Sequence, residues 1–165
     1  MTRLTIFDET GAELRRTDAA EEIAVELAGI GVRFERWPAE GAAARVEALK
    51  AEGYTTIDTI SMAPDHPDRE TMRGKFLSEH RHAEDEVRFF VKGEGLFTLR
   101  EGGQVYAVLC EGGDLISVPA GMRHWFDMGP RPDFTAMRFF RTPEGWVGDF
   151  TGDPIAERFP RLEPA

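Results

Sequence analysis

Three of the four histidines in this 165-residue chain, together with one glutamate, recur in a pattern suited to holding one metal ion. His80 and His82 sit two apart in the segment SEHRHAEDEVRFF, and Glu86 and Arg88 follow at the same parity. In a strand, side chains two apart face the same way, so these residues are expected on one face unless a turn intervenes. His124 comes later, just past Pro119-Ala120-Gly121, with Phe126 at its parity. Neutral imidazoles with one carboxylate suit a borderline divalent ion such as Fe(II), Ni(II), Mn(II) or Zn(II). Cys110 is the single cysteine, so a thiolate cage and an internal disulfide are both excluded. Its setting, VYAVLCEG, reads as a small buried hydrophobe in a strand. His66, in APDHPDRE, reads as a loop histidine with no partner in this set.

These residues need a rigid scaffold, and the chain has the length for one domain with one core. The net charge of −10 repels phosphate backbones and argues against nucleic acid. No run approaches 18 apolar residues, so no membrane span is expected. The opening MTRLTIFDETGAELRR lacks the pattern of a secretory signal, and a cytoplasmic location is the expectation. Residues 1–8 alternate like a strand. Asp18 and Glu21 have the spacing of a capping box, and Ile23, Leu27 and Ile30 predict a helix over 19–30 that stops at Gly31. VRFERW reads as a strand, residues 41–52 as a second helix ending near Gly53, and TTIDTISM as a strand. From residue 76, β-rich runs are punctuated at Gly93-Glu94-Gly95, Gly102-Gly103, Gly112-Gly113-Asp114 and Pro119-Ala120-Gly121. Turns at that spacing predict a closed barrel or sandwich. FTAMRFFR (134–141) is a further strand. Asp153-Pro154 predicts a single helical turn to about Phe159. The expected architecture is mainly β, a small barrel with helices toward the chain ends.

At this point the residues carry a resemblance. Gly74, His80-Arg81-His82, Glu86 and Gly93 match the first cupin motif, and Gly113, Pro119-Ala120-Gly121 and His124 match the second. Met128 departs from the Asn that many cupins have there. That Asn is not a ligand, so the site stands. HRHAEDEVRFFVKGEGLF, DLISVPAGMRHWFDMG, MRFFRTPEGWV and TGDPIAERFP further resemble the acireductone dioxygenase family of methionine salvage, in order and spacing over nearly the whole chain. The resemblance implies a cupin-type double-stranded β-helix, a jelly-roll barrel over about 55–141. It adds an N-terminal helical segment over about 17–53 and a tail over 142–165. It implies one Fe(II) or Ni(II) per chain, held by His80, His82, Glu86 and His124. It also implies substrate contacts from Arg88 and Arg138 and a pocket wall of Phe90, Phe126 and Trp146. The positions of Glu79 and Asp85 are associated in the family with metal uptake and local conformational change, roles for which the residues give no separate argument.

Four protein ligands on an octahedral ion leave two positions, which an enediol with adjacent oxygens can fill. The ion then acts as a Lewis acid on both hydroxyls. The resulting dianion needs a nearby cation, and Arg88, always charged and on the ligand face, supplies it. With the octahedron full, dioxygen can attack the substrate directly. The family's iron form yields 4-methylthio-2-oxobutanoate and formate from 1,2-dihydroxy-3-keto-5-methylthiopentene. Its nickel form yields 3-methylthiopropanoate, formate and carbon monoxide. The expected partners are this small enediol and O2, with no nucleic acid, and the expected state is a monomer. Two other readings keep the barrel: another cupin dioxygenase with a different pocket, and a non-catalytic small-molecule-binding cupin.

Overall fold

The computed structural model describes residues 1–38 and 40–162. Strand β1 (Arg3–Asp8) and β2 (Glu13–Thr17) form a hairpin around Gly11, whose φ is +97°. Helix α1 (Ala20–Ala28) buries Ile23 and Leu27, as their spacing predicts. The expected capping box does not form. Ala19 is the N-cap, and the Asp18 carboxylate is instead taken by Arg3, with Nε donating at 2.7 Å. Strand β3 (Arg33–Arg36) leads to α2 (Ala42–Ala51). That helix closes on Gly53, with the Tyr54 N–H donating back to the Leu49 carbonyl at 3.1 Å. β4 (Thr56–Met62) follows, then a helix not anticipated from the sequence, α3 (Arg69–Leu77). No residue of α3 is fully buried, so it carries no continuous apolar stripe that would reveal it.

The remaining elements are β5 (His80–Arg81), β6 (Glu86–Glu101), β7 (Gln104–Glu111), β8 (Asp114–Val118), β9 (Arg123–Asp127), β10 (Phe134–Phe140) and β11 (Asp149–Phe150). Short 3₁₀ turns span Pro143–Trp146 and Pro154–Arg158. The second starts as expected: the Asp153 carboxylate accepts from Ile155 N–H at 3.0 Å, and Pro154 occupies the first turn. One sheet runs β11-β5-β9-β6-β7-β1-β2, and a second brings β3, β8, β6, β10 and β4 together. All the pairs are antiparallel.

Strand β6 belongs to both sheets. Glu86–Phe89 pair with β8, and Val87–Gly93 with β10; past Gly93 the strand pairs with β7 and β9. The expected turn at Gly93-Glu94-Gly95 is therefore a bend within one 16-residue strand. Gly93 has φ +77°, and a Cβ there would lie 2.0 Å from the Asp133 carbonyl oxygen. Only glycine fits that close approach. The bend lets one strand close the barrel by serving both sheets. Inside lies an apolar core that includes Phe90, Phe97, Phe126, Phe134, Val108, Ile116 and Cys110. Cys110 is fully buried, and burial pushes its thiol well above the usual range, so it behaves as a core hydrophobe. The architecture is mainly β and cupin-type.

Candidate metal centre

His80 and His124 face each other across the β5·β9 pair as direct register partners. Directly opposed side chains on an antiparallel pair have Cβ atoms roughly 5 Å apart, so two imidazoles meet there by backbone geometry alone. His82 follows β5 at the start of a four-residue turn, and Glu86 begins β6 beyond it. Side chains hold this turn. The Glu84 carboxylate accepts from the backbone N–H groups of Arg141 and Thr142 at 2.9 and 3.0 Å and from the Thr142 hydroxyl. Asp85 accepts from Ala120 N–H at 2.8 Å, and the His82 carbonyl accepts from Gly121 N–H at 2.9 Å. The turn carrying His82 is thus pinned to the Pro119–Gly121 turn that launches β9 and His124.

Each histidine is fixed the same way. Nδ1 of His80 donates to the Ser78 carbonyl at 2.7 Å, that of His82 to Val147 at 3.1 Å, and that of His124 to Met122 at 2.9 Å. A carbonyl only accepts, so Nδ1 carries the proton and the Nε2 lone pair is left for a ligand. The three imidazoles are buried, and their ligand atoms lie within 4.8 Å of one another. Burial, then the neighbouring His124, pulls His80 down to about 4, so it is neutral at pH 7. Burial also works on His82, but the adjacent Glu86 carboxylate outweighs it and raises its pKa.

Glu86 Oε2 lies 3.0 Å from His82 Nε2 and 3.6 Å from His124 Nε2. Neither approach has hydrogen-bond geometry, and both Glu86 Oε2 and His124 Nε2 are buried without a hydrogen-bond partner among the described residues. Orphaned buried acceptors are costly, roughly 1–3 kcal/mol each, unless something else satisfies them. These close spacings and the donor set of three imidazoles and one carboxylate would suit a single borderline divalent metal.

Arg88 continues the face begun by Glu86. Its Nη2 donates to Glu86 Oε1 at 2.8 Å, and its guanidinium lies 4.8 Å from the ring centres of both Phe97 and Phe126. Burial lowers the Arg88 pKa, opposed by the Glu86 charge. An arginine still stays protonated at any working pH. Burial alone would raise Glu86; the Arg88 charge and the two imidazoles instead hold it well below the usual carboxylate range. Arg138 is the register partner of both Arg88 and Asp58, and it makes a two-pronged pair with the Asp58 carboxylate at 3.0 and 2.7 Å.

A cavity of about 80 Å³ opens onto these groups. Its inner wall is His80, His82, His124, Arg88, Phe97 and Phe126; its outer part is Lys75, Phe76, Arg138, Trp146, Gly148 and Phe150. Phe90 does not line it. That ring is fully buried behind the wall, 6.4 Å from Phe97 and 6.2 Å from Phe126. Phe97 pairs in register with Phe126 and shares its face, which the alternation in GLFTLR signals. Lys75 and Phe76 come from α3 and have no sequence signal. His66 stays outside the cluster, in a loop where its Nδ1 accepts from Asp68 N–H at 3.0 Å. Glu79 and Asp85 point to structural partners. Glu79 is buried and accepts from Arg100 at 3.2 Å and Thr151 Oγ1 at 2.7 Å.

A mainly β, cupin-type barrel with a buried cluster of three histidines that could hold a metal ion defines the class: a β-barrel protein with a candidate metal centre. The family model for the ARD/ARD′ family matches residues 5–148. An acireductone dioxygenase of Synechococcus sp. is 54% identical over 98% of this chain and 99% of its own. One from Pseudomonas aeruginosa is 54% identical over 99% of each. The acireductone dioxygenase of Bacillus anthracis, solved with a cadmium ion in its active centre, superposes with a TM-score of 0.78. It is 28% identical, over 91% of this chain and 98% of that one. The chain therefore belongs to the ARD/ARD′ family and is a metal-dependent dioxygenase.

Proposed function

We propose that this chain cleaves an acireductone, 1,2-dihydroxy-3-keto-5-methylthiopentene, with dioxygen, using one Fe(II) or Ni(II) held by His80, His82, Glu86 and His124. The observation that carries this reading is the orphaned pair Glu86 Oε2 and His124 Nε2, buried among imidazoles whose Nδ1 protons are already committed to backbone carbonyls. When bound, the ion supplies Lewis acidity that lowers the pKa of the enediol hydroxyls.

The chain's own residues do the rest. Arg88 presents a buried positive charge beside the ligand set, and its Nε has no hydrogen-bond partner among the described residues, so it is available to an enediolate oxygen. Its sandwich between Phe97 and Phe126 fixes the guanidinium before substrate arrives, which avoids reorganisation during reaction. The same two rings, with Phe76, exclude water and give the methylthio tail an apolar surface. Arg138, held by Asp58, adds charge farther along the wall. Glu79 and Asp85 serve by bracing: Asp85 fixes the turn before β9, and Glu79 ties residue 151 beside His80. We read residues 1–165 as one domain, active as a monomer in the cytoplasm; among the described residues no helix is long and apolar enough to cross a membrane.

The bound ion sets the products. Apo-protein loaded with Fe(II) is expected to give the keto acid and formate, and the same protein loaded with Ni(II) the shorter acid, formate and carbon monoxide. Product analysis under oxygen tests this, and identical products from both forms would refute it.

A further inference from the structure

Three cations line the cavity, and two of them are answered by carboxylates. Arg88 is paired with Glu86 and Arg138 with Asp58. Lys75, from the last turn of α3, is exposed at the cavity and has no carboxylate partner among the described residues. Its neighbour Phe76 anchors that stretch of helix, packing edge-on against Phe126 at 6.1 Å. The lysine is thus held at the mouth of the site while its own charge is left unspent.

We propose that Lys75 is a substrate-contacting residue that captures the anionic enediolate at the cavity mouth and delivers it to Arg88 and the ligand set. The inference rests on the reading of the chain as an enediol-cleaving dioxygenase. A chain with net charge −10 repels an anionic reactant at long range, so entry needs a local positive potential. A cleft with low-dielectric walls focuses such a potential, and here the walls are Phe76, Phe97 and Phe126. The two arginines contribute little to the outward field, since each lies against a carboxylate within 2.8 Å. A lysine also suits transient capture: it is a mobile point charge rather than a planar fork locked to one geometry. The competing explanation is that Lys75 only complements the C-terminal end of the α3 dipole, which would affect helix stability and not substrate affinity.

Metal-loaded wild type, Lys75→Met and Lys75→Arg separate these roles. Each is titrated anaerobically with the acireductone, assayed under oxygen at low and high salt, and melted. The expected result for Lys75→Met is anaerobic affinity and kcat/KM lower by about tenfold, the size for losing a charged contact. Its kcat should stay within about twofold, its Tm should be unchanged, and the salt dependence of kcat/KM should flatten. Lys75→Arg should recover most of the affinity. Unchanged binding by Lys75→Met, or a loss that follows Tm and appears in kcat alone, would overturn the proposal. If the loaded wild type itself neither binds nor turns over the acireductone, the underlying reading fails and this one with it.

Discussion

The two sides of the cavity are built differently. On the ligand side, every group is tied to backbone or to a buried partner: three imidazoles to carbonyls, Glu86 to Arg88, Arg88 between two rings. That side stands on β5, β6 and β9, with β9 between the other two and paired to both. The opposite side is made by α3, the Pro143–Trp146 turn and β11. There α3 has no fully buried residue, Trp146 is 39% exposed and Phe150 is 46% exposed. One wall holds charge in fixed positions; the other is a partly exposed cover of side chains. An 80 Å³ cavity is smaller than the roughly 300–1,000 Å³ of a typical ligand site. Admission of an enediol with a methylthio tail therefore falls to the cover, and chemistry falls to the fixed wall.

The comparison is broken most severely by removing the fixed charge. Arg88→Met is expected to lower kcat by roughly 100- to 1,000-fold, the cost of losing one preorganised donor. The ion should stay bound, which metal analysis of the same sample checks. A next test introduces bulk into the fixed wall. A Cβ on Gly95 would sit 2.4 Å from the Phe126 ring, so Gly95→Ala should cost about 1–3 kcal/mol and lower Tm by several degrees in a thermal melt.

The smallest effect concerns the fastening of the cover. Arg73 of α3 donates to the buried carboxylate of Asp127 at 2.7 and 3.1 Å, and Asp127 also accepts from the N–H groups of Gly129 and Leu162 at 2.8 Å. Burial would raise the Asp127 pKa, but Arg73 and these N–H donors outweigh it and hold it low. A depressed folded-state pKa gives stability that is present above the unfolded value, about 3.9, and lost as pH falls through the folded one. Asp127→Asn should therefore be about 1–2 kcal/mol less stable than wild type at pH 7, with the gap shrinking below about pH 4. Urea unfolding at the two pH values measures it.

Much of the fixed wall was legible in the sequence, and most of the cover was not. His80, His82, Glu86 and Arg88 lie within nine residues; alternation places Glu86 and Arg88 on one face of β6, but a turn separates them from the histidines, and strand pairing through β9 rather than parity brings His80 to the site. His124 is readable through the Pro119-Ala120-Gly121 turn that precedes it. The bend at Gly93 was legible as glycine but not as geometry. Two glycines near one another signal a turn or a bulge equally well, and only the Asp133 backbone across the way decides. Asp18 failed as a cap because a distant partner, Arg3, competes for its carboxylate. Lys75 and Phe76 were invisible because α3 is mostly polar in sequence and buries no residue fully, although Met72, Phe76 and Leu77 pack against the core. Phe90 and Phe126 are alike in sequence, both aromatic at the right parity. A difference in depth, seen only in three dimensions, puts one in the wall and the other behind it.

The central claim is that His80, His82, Glu86 and His124 hold one divalent ion between them. Metal content per chain is its most direct measure. Wild type and the single variants His80→Ala, His82→Ala, Glu86→Ala and His124→Ala are loaded with Fe(II) or Ni(II), dialysed, and analysed by mass spectrometry, with circular dichroism to confirm the fold. About one ion per wild-type chain is expected, with a large loss in every folded variant, since each position would supply one of few ligands. Full metal content in folded His80→Ala and His124→Ala would contradict it.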